Sequence, residues 1–515
     1  MPRTAIIIGL PETCRQLQRQ LDLVPDRPVT LGWIVHQKHP DGPSHAPLHA
    51  GAGPAGSGEP APAAATRPRA APHPPILGTL EELEVIIGRR RPEVALVTLP
   101  AAMTILTGSI RARLGRLGLP VRFMPTLGDQ LAGTGPWSRR EIDLGSLLER
   151  PPRRIDEASV RGVLEARRVL ITGAGGSIGS ELARIVCRFD PRKLILVERS
   201  ENALFEIDRQ IARRAPRLDR SALLHDIVDA AGTLGHLKRL RPDVIFHAAA
   251  HKHVPLMEDH PAAAVDNNLF GTISVADASD RTGAERFVMI STDKAVRPRS
   301  VMGATKRLAE LYVQHMSGRS ETLFSMVRFG NVLGSTGSVL DIWSREISEG
   351  GPLTVTHPDM TRYFMTIAEA AALVIQSAAL VDSEASGTVF LLDMGQPIKV
   401  LDLAHGFAAL HGLEARVVDT PRAAAEPEGA CPTIEIVFTT PRPGEKLHEE
   451  LVAETDAIRP TAHPDIQSIH LASPDPDLVD RIIRLLSPGN RPREAAAIVH
   501  TLRNLVPLQM QPTAA

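Results

Sequence analysis

The sequence lacks paired cysteines and any excess of one charge sign. Its three cysteines, Cys14, Cys187 and Cys431, lie far apart without a C-x-x-C pair. Neither a disulfide framework nor a zinc site is therefore indicated, and a reduced, cytoplasmic setting is expected. The formal net charge of −1 provides no basic surface for nucleic acid or for an anionic membrane. These absences exclude secreted disulfide-rich scaffolds and argue against nucleic-acid binding.

Long apolar runs are also missing. The run at residues 5–10 ends at Pro11 and Glu12, which is unlike a signal peptide. The longest apolar tract, residues 370–381, contains Gln376 and is shorter than the roughly 20 residues that a bilayer requires. We therefore expect no integral membrane segment.

The length of 515 residues predicts two or three domains. Alternating strand and helix patterns predict a small amino-terminal α/β domain over residues 1–133. Its first turn, after Gly9, lacks clustered glycines, so a structural role is favoured over nucleotide binding. Residues 41–75 are mostly Ala, Pro, Gly and His and are predicted to be a disordered insertion. The predicted elements of this domain are strands at 4–9, 30–35 and 94–99 and helices at 13–23 and 80–89.

A second α/β domain is predicted over residues 168–507, between a charged connector at 134–167 and a tail at 508–515. Its alternation of strands and helices predicts a doubly wound, mostly parallel, Rossmann-like sheet. After residue 332 the pattern becomes irregular, which favours a smaller substrate-binding lobe there, with a loop at 419–429. The predicted elements are strands at 169–172, 193–197, 244–247, 286–291 and 323–329 and helices at 180–188, 203–213, 264–279 and 306–316.

A glycine-rich turn follows the first strand of this domain. The run from Thr172 to Gly179 reads Thr-Gly-Ala-Gly-Gly-Ser-Ile-Gly and opens a helix. Glycines in such a turn permit a tight bend and the close approach of a pyrophosphate to a positive helix end. The predicted cofactor-binding residues of this turn are Gly173, Gly176, Ser177, Ile178 and Gly179.

Polar and small residues end the next strands. Glu198 lies 19 residues after Gly179, where a carboxylate can accept hydrogen bonds from the adenosine ribose. This carboxylate favours NAD, whereas Arg199 beside it leaves NADP open. Further along, Asp226 and Ile227 are candidates for adenine contact, and the small Ala248 and Ala249 leave room for the cofactor.

The fifth strand ends in Thr292, Asp293 and Lys294. Ligands of open α/β sheets bind beyond the carboxyl ends of the strands, so these side chains are predicted to face the cofactor. Met302-Gly-Ala-Thr-Lys306 follows, at the place where short-chain dehydrogenases carry Tyr-x-x-x-Lys. The chain has two tyrosines, neither in such a motif. Met302 cannot accept a proton.

Several further runs carry a specific resemblance across roughly residues 168–451. They are His-Ala-Ala-Ala-His-Lys-His-Val-Pro-Leu-Met-Glu from His247, Ser-Thr-Asp-Lys-Ala from Ser291, Val-Arg-Phe-Gly-Asn-Val-Leu-Gly from Val327, Thr-Arg-Tyr-Phe-Met-Thr from Thr361 and Arg-Pro-Gly-Glu-Lys from Arg442. With these motifs the chain resembles the capsular-polysaccharide-type UDP-N-acetylglucosamine 4,6-dehydratases of the extended short-chain dehydrogenase superfamily. The resemblance is to the methionine-bearing branch, without the membrane helices that usually precede the long members.

The resemblance implies roles for these residues. Asp293 would act as the acid at C6, Lys294 as the base at C5, and Thr292 would bond the C4 hydroxyl. Lys306 would hold the cofactor ribose, and the configuration at C5 would be retained. For this chemistry we expect the Asp293 and Lys294 side chains to diverge, and the pKa of Lys294 to fall through burial and the Lys306 cation. The implied residues for the UDP-sugar are Lys252, Asn331, Arg362, Arg442 and Glu445, with Arg362 equally interpretable as a structural ion pair.

Two other functions remain open at this stage. One is a nucleotide-sugar epimerase acting at C4 or C5, against which the Asp293–Lys294 pair argues. The other is a non-catalytic nucleotide-sensing or scaffold protein, which the missing tyrosine permits. The histidines His251, His253 and His260 lack an accompanying set of acids, so no metal site is predicted. A homo-oligomer, dimeric or larger, is expected because this fold often dimerises through two helices.

Overall fold

The computed structural model describes residues 4–22, 27–36, 74–99, 155–411, 413–418, 433–454, 456–471 and 474–506, with scattered positions between 106 and 153. The chain divides into two compact units, mainly residues 1–142 and mainly residues 143–515. Of the predicted insertion at 41–75, only residues 74 and 75 are described. The loop at 419–429 and the tail at 508–515 lie outside the described residues.

The first unit contains a five-stranded sheet of order β3-β2-β1-β4-β5, in which every neighbouring pair is parallel. The three predicted strands and both predicted helices of this unit are confirmed within two residues at most ends. The short strands β3 and β5 were not predicted. The elements are β1 Thr4–Gly9, β2 Val29–Val35, β3 Ile76–Thr79, β4 Val94–Thr98, β5 Val121–Phe123 and helices Pro11–Leu21 and Leu83–Arg90, the latter after a 3-10 turn at Leu80–Glu82.

The second unit is built on a nine-stranded sheet of order β20-β21-β16-β11-β10-β9-β6-β7-β8. In this order, every neighbouring pair between β16 and β8 is parallel. Beyond β16, β21 and then β20 add to the sheet as antiparallel strands. The strands are β6 Arg168–Thr172, β7 Lys193–Glu198, β8 Arg220–Leu224, β9 Val244–His247, β10 Arg286–Ile290, β11 Leu323–Arg328, β12 Asn331–Leu333, β13 Leu353–Val355, β14 Thr361–Arg362, β15 Phe364–Thr366, β16 Val389–Leu392, β17 Ile398–Lys399, β18 Glu414–Val417, β19 Thr433–Phe438, β20 Ala457–Pro460 and β21 Ile466–His470.

Helices cover both faces of this sheet. They are Glu157–Leu164, Ser177–Val186, Glu201–Arg214, Ala230–Leu240, Val254–Asp259, Pro261–Ala264, Gly271–Thr282, Val301–Ser317, Val339–Glu349, Ile367–Ala379, Val400–Leu410, Pro476–Leu486 and Ala495–Leu505, with a π-helix at Val265–Phe270 and 3-10 turns at Cys187–Phe189 and Asp293–Ala295. No helix in the described part of the chain is long and apolar enough to cross a membrane.

Successive side chains of the central strands point to opposite faces of the sheet and so contribute to two hydrophobic cores. Leu170 and Ile245 point into the core beneath helices Gly271–Thr282 and Val301–Ser317. Their neighbours Ile171 and Phe246 point into the opposite core, beneath helices such as Ser177–Val186. Because a strand buried on both faces needs apolar residues at every position, these strands read as continuous apolar runs.

Three features of the second unit differ from the predictions. Residues beyond 332 do not only form a lobe, since β16, β20 and β21 extend the main sheet. The single α-helix predicted at 264–279 is a π-helix followed by an α-helix, and the π-helix carries two buried asparagines, Asn267 and Asn268, joined by a side-chain hydrogen bond. The helix Glu157–Leu164 belongs to this unit, although the connector was predicted to end at residue 167.

Candidate active site

A crevice opens where the strand order reverses, between β7 and β9 on either side of β6. Ligands of doubly wound sheets bind at this point, beyond the carboxyl ends of the strands. The crevice has a volume of about 320 Å³. It is lined by Gly173, Gly176, Val197, Glu198, Arg199, Ser200, His225, Asp226, Ile227, Ala248, Ala249, Ala250, His251 and Asn267. Eight of the residues predicted for the cofactor therefore lie around one cavity.

The glycine turn packs against the strand end beside it. Gly173 has a φ of +62°, and a Cβ there would lie 2.8 Å from the Ala249 backbone. A Cβ on Gly179 would lie 2.1 Å from the Gly173 carbonyl oxygen, so only glycine fits either position. Gly176 is the N-cap of helix Ser177–Val186, whose positive end suits a phosphate. This turn fits the pyrophosphate of a dinucleotide.

Glu198 lies at the cavity wall and also organises the turns around it. One carboxylate oxygen accepts from the Gly175 amide at 3.1 Å, and the other accepts from the Arg199 and Ser200 amides at 2.9 and 3.0 Å. The Arg199 guanidinium lies 3.3 Å from His251 Nε2. The carboxylate and the guanidinium thus flank the position predicted for the adenosine ribose.

A buried polar chain that the sequence did not reveal links the ends of β6 and β9 to helix Gly271–Thr282. His247 Nδ1 lies 2.8 Å from Thr172 Oγ1, and its Nε2 lies 2.9 Å from Thr272 Oγ1. Burial, aided by the Lys306 cation, lowers the pKa of His247 to about 3, so this imidazole is neutral. Asn268 accepts from the His251 amide at 2.7 Å and donates to its carbonyl at 3.0 Å, which fixes the loop after β9.

The three residues after β10 converge at one point. Thr292 is the N-cap of the 3-10 turn Asp293–Ala295 and donates from Oγ1 to Asp293 Oδ1 at 2.8 Å. Asp293 is fully buried. Lys294 Nζ donates to the same Oδ1 at 3.0 Å and to Asn331 Oδ1 at 3.1 Å. The second oxygen, Asp293 Oδ2, is buried without a hydrogen-bond partner among the described residues.

The expectation that Asp293 and Lys294 diverge is therefore wrong for this structure. A buried carboxylate is costly without a partner, and Lys294 is the neighbouring cation. Burial works to lower the pKa of Lys294, but Asp293 and then Glu449 outweigh it, and the pKa is raised. The predicted lowering by Lys306 does not occur either, because that side chain points elsewhere. The raised pKa of Lys294 favours its charged form.

Lys306 and Met302 lie on helix Val301–Ser317. Lys306 Nζ donates to the Ile290 carbonyl at 2.6 Å, and burial lowers its pKa to about 8. Met302 is 3% exposed and packs in the hydrophobic core. The position of the missing tyrosine is thus filled by an apolar side chain.

Glu449 is a residue of the centre that sequence reasoning missed. Its Oε1 lies 3.7 Å from Lys294 Nζ, and its Oε2 is buried without a partner among the described residues. The segment carrying it is tied to the centre by Lys446, which donates to the Val296 carbonyl at 2.9 Å. Glu449 follows the Arg-Pro-Gly-Glu-Lys motif by three residues, and that proximity was the one available clue.

The residues predicted for the sugar nucleotide differ in their surroundings. Arg362 is buried and donates to the Thr361 and Leu447 carbonyls at 2.7 and 3.0 Å, a structural role with backbone rather than carboxylate partners. Arg442 is exposed, and its amide donates to Glu445 at 3.2 Å.

Lys252, the remaining candidate for the sugar nucleotide, reaches a loop that also meets the glycine turn. Its Nζ donates to the Thr336 carbonyl at 2.8 Å and to Ser335 Oγ at 3.3 Å. The Thr336 amide donates to Ser177 Oγ at 3.1 Å. This loop therefore joins the predicted cofactor turn to the loop after β9.

A buried ion-pair network includes Ser291, the residue that precedes Thr292. Glu310 is fully buried and accepts from Ser291 at 2.7 Å and from Arg328 at 2.8 and 2.7 Å. Burial works to raise the pKa of Glu310, but Arg328, then Arg307 and Ser291, lower it to about 2. The network joins helix Val301–Ser317 to the ends of β10 and β11. Among the described residues, no group of three His, Cys, Asp or Glu side chains could hold a metal.

Sheet order, glycine turn and reaction centre together define an α/β protein of the extended short-chain dehydrogenase type. Comparison with protein families makes the assignment specific. The chain belongs to the polysaccharide biosynthesis protein family, whose model matches residues 169–471.

Individual relatives agree with this assignment. The chain is 40% identical over 384 residues to the probable polysaccharide biosynthesis protein EpsC of Bacillus subtilis, covering 74% of this chain and 61% of that protein. It therefore spans less than two thirds of that relative. It is 29% identical over 296 residues to an inverting UDP-N-acetylglucosamine 4,6-dehydratase of Campylobacter jejuni, covering 56% and 79%.

Two further comparisons bear on fold and on the alternative activity. The X-ray structure of Pen from Bacillus thuringiensis superposes with a TM-score of 0.52 at 29% identity, covering 61% of this chain and 90% of that one. A UDP-glucose 4-epimerase of Rickettsia canadensis is 32% identical over 219 residues, covering 41% of this chain and 62% of that protein.

Proposed function

We propose that this protein is a nucleotide-sugar 4,6-dehydratase of polysaccharide biosynthesis that converts UDP-N-acetylglucosamine to its 4-keto-6-deoxy product. One observation carries the proposal. A buried carboxylate with one free oxygen, Asp293, lies beside a lysine and a threonine at the carboxyl end of β10. An epimerase needs no acid and base across C5 and C6, whereas a dehydratase needs both.

The cofactor proposed for the crevice is NAD, with Gly173, Gly176 and Gly179 at the pyrophosphate and Glu198 at the adenosine ribose. Bound NAD would supply the hydride acceptor for C4 and the hydride donor for C6. The Glu198 carboxylate would repel the additional phosphate of NADP, so we expect NAD to bind more tightly. Titration calorimetry with both cofactors tests this preference.

Thr292 and Asp293 are proposed to take the proton of the C4 hydroxyl. Thr292 Oγ1 already donates to Asp293 Oδ1, so a hydroxyl bound at Thr292 has a path to the carboxylate. The proton then leaves Asp293 for the C6 hydroxyl, which departs as water. One carboxyl group thus serves first as acceptor and then as acid.

Lys294 is proposed to remove the C5 proton once C4 is a ketone. The same Nζ, whose protons exchange with solvent, would then donate a proton to C5 after water has left. Because one group acts from one face of the sugar, the configuration at C5 is retained. The Campylobacter relative is named as inverting, so the stereochemistry at C5 is itself an outcome worth measuring.

The remaining sequence predictions belong to the same proposal. Arg442 would contact the diphosphate and Glu445 the ribose hydroxyls, and Asn331 and Lys252 would contact the diphosphate or the sugar. A cytoplasmic location and a homo-oligomeric state also remain predictions.

The test is turnover of UDP-N-acetylglucosamine in deuterated water, followed by NMR. A 4-keto-6-deoxy sugar carrying deuterium at C5 supports the proposal. A product epimerised at C4 or C5 that keeps its C6 hydroxyl would identify an epimerase, and bound cofactor without turnover would indicate a sensing protein. Lys294→Ala should bind NAD yet form no keto sugar, while Lys238→Ala, an exposed lysine, should behave as wild type.

A further inference from the structure

Two buried carboxylates, not one, flank the lysine of the reaction centre. Asp293 Oδ1 lies 3.0 Å and Glu449 Oε1 lies 3.7 Å from Lys294 Nζ. Each carboxylate has its other oxygen buried without a hydrogen-bond partner among the described residues. The side chains of Asp293 and Glu449 are 0% and 2% exposed. One buried carboxylate is enough for an ion pair with the lysine. The second carboxylate, which also has an oxygen without a hydrogen-bond partner among the described residues, therefore calls for another explanation.

The proton balance of the proposed reaction gives this second carboxylate a role. Lys294 is ionised in the structure, yet it has to be neutral when it removes the C5 proton. Asp293 cannot take the lysine proton at that moment, because it has just received the proton of the C4 hydroxyl. The lysine proton therefore needs another acceptor inside the site.

We propose that Glu449 is that acceptor, holding the Lys294 proton while Lys294 acts as the base at C5. This inference rests on the proposed dehydratase function. Glu449 acts through Lys294 and does not itself touch the sugar, so it is a positioning and proton-holding residue.

The protons balance over the cycle. The site begins with Asp293 and Glu449 ionised and Lys294 charged. The C4 hydroxyl proton passes to Asp293 as hydride leaves C4 for NAD, and the Lys294 proton passes to Glu449. Neutral Lys294 then takes the C5 proton while Asp293 protonates the departing C6 hydroxyl. After hydride returns to C6, Lys294 gives its proton to C5 and recovers its own from Glu449.

The geometry allows this transfer with a small movement. A hydrogen bond requires the nitrogen and oxygen to lie about 0.6 Å closer than the observed 3.7 Å, which rotation about the lysine side-chain bonds provides. Transfer removes two opposite charges at once. Once Asp293 is protonated, the attraction that keeps Lys294 charged is weakened and desolvation favours the neutral pair.

Other groups around the pair set its charge. Burial works to lower the pKa of Lys294, but Asp293 and Glu449 raise it overall, and the charge of Arg362 is a smaller opposing effect. Asn331 accepts a hydrogen bond from Nζ. On the far side, Glu449 and Asp293 both act on Lys446, whose pKa is lowered mainly by burial. Arg362 and Lys446 are therefore the further cations that interact with this group of side chains.

The experiment compares Glu449→Gln and Glu449→Asp with wild type in the full-length protein. Glu450→Gln is the matched control, because Glu450 is the adjacent carboxylate but binds Arg297 at 2.8 Å rather than Lys294. Each variant is mixed with NAD and UDP-N-acetylglucosamine in steady-state reactions, which give kcat and KM, and in single-turnover reactions. Absorbance at 340 nm follows oxidation at C4, and NMR follows deuterium entry at C5 and loss of the C6 hydroxyl.

We expect Glu449→Gln to lower kcat by about 100-fold with KM nearly unchanged. Oxidation at C4 should persist, so reduced cofactor accumulates while deuterium entry at C5 is lost. Its kcat should rise about tenfold per pH unit, because Lys294 must then lose its proton to solvent. Glu449→Asp should restore most of the C5 exchange, and Glu450→Gln should match wild type.

The inference fails if wild type forms the C5-labelled keto sugar and Glu449→Gln does so with the same rate and pH profile. It also fails if the glutamine variant loses C4 oxidation and C5 exchange together while Glu449→Asp restores neither. If wild type itself forms no keto sugar, the proposed function fails instead, so the two failures are distinguishable.

Discussion

Replacing Glu310 by glutamine removes the charge of a fully buried carboxylate that anchors the strand ends behind the reaction centre. Its pKa is lowered from 4.5 to about 2. Since each tenfold change in proton affinity is worth about 1.4 kcal/mol, the ionised form contributes about 3 kcal/mol to the free energy of unfolding at pH 7. The same order is expected when one partner of a buried ion pair is removed and Arg328 is left uncompensated.

The assay is native-state hydrogen exchange measured by mass spectrometry on peptides from helix Val301–Ser317. Glu310→Gln should lower the free energy of opening there by about 3 kcal/mol at pH 7. Because the folded pKa lies below the unfolded one, this stabilisation is complete above about pH 4.5 and is lost as the pH falls towards 2. The difference between wild type and variant should therefore narrow by about 1.4 kcal/mol by pH 3.5.

The control is Glu206→Gln, which breaks an ion pair to Arg209 whose two side chains are each 48% exposed. It should leave exchange unchanged, because exposed pairs contribute little. Equal effects of the two substitutions, or a Glu310→Gln effect that does not depend on pH, would refute the electrostatic account of the network.

Three further substitutions test other parts of the site. Gly179→Ala should abolish NAD binding in calorimetry because its Cβ would lie 2.1 Å from the Gly173 carbonyl, whereas Gly235→Ala, with no atom within 4 Å, should bind normally. Because the pKa of Lys306 is lowered to about 8 on folding, the free energy of unfolding of wild type should rise with pH between about 8 and 10.5. Lys306→Met should abolish this rise, which urea titrations at several pH values would show. Met302→Leu should keep kcat within about threefold and cost less than about 1.5 kcal/mol in the same titrations, as a volume-conserving core change does; a large loss of kcat would give Met302 a catalytic role.

Local patterns were sufficient to predict the central fold. The apolar runs of β6, β7, β9, β10 and β11 reflect strands buried on both faces. The turn after β6 was recognisable because its contact with neighbouring backbone requires glycines. Strands β16, β20 and β21 were not predicted because they are short and join the sheet through pairings with distant segments.

The candidate site was predictable where its residues are adjacent in sequence and not where folding brings them together. Thr292, Asp293 and Lys294 stand next to each other, so the cluster was evident. The direction of the Lys294 side chain was not, because it depends on a 3-10 turn and on Asn331 and Glu449. Glu449 lies on a segment that a hydrogen bond from Lys446 to the Val296 carbonyl ties to the centre, a contact between residues 150 positions apart.

The 3-10 turn at Asp293–Ala295 also determines how this centre responds to changes in chain length. Such a turn advances by about 120° per residue, so neighbouring side chains leave the backbone in different directions. Adding or removing one residue between β10 and helix Val301–Ser317 would change the direction of all the groups after that point at once. Substitutions here should be graded in effect, whereas insertions and deletions should be uniformly inactivating, a difference that a deep mutational scan including both kinds of change would show.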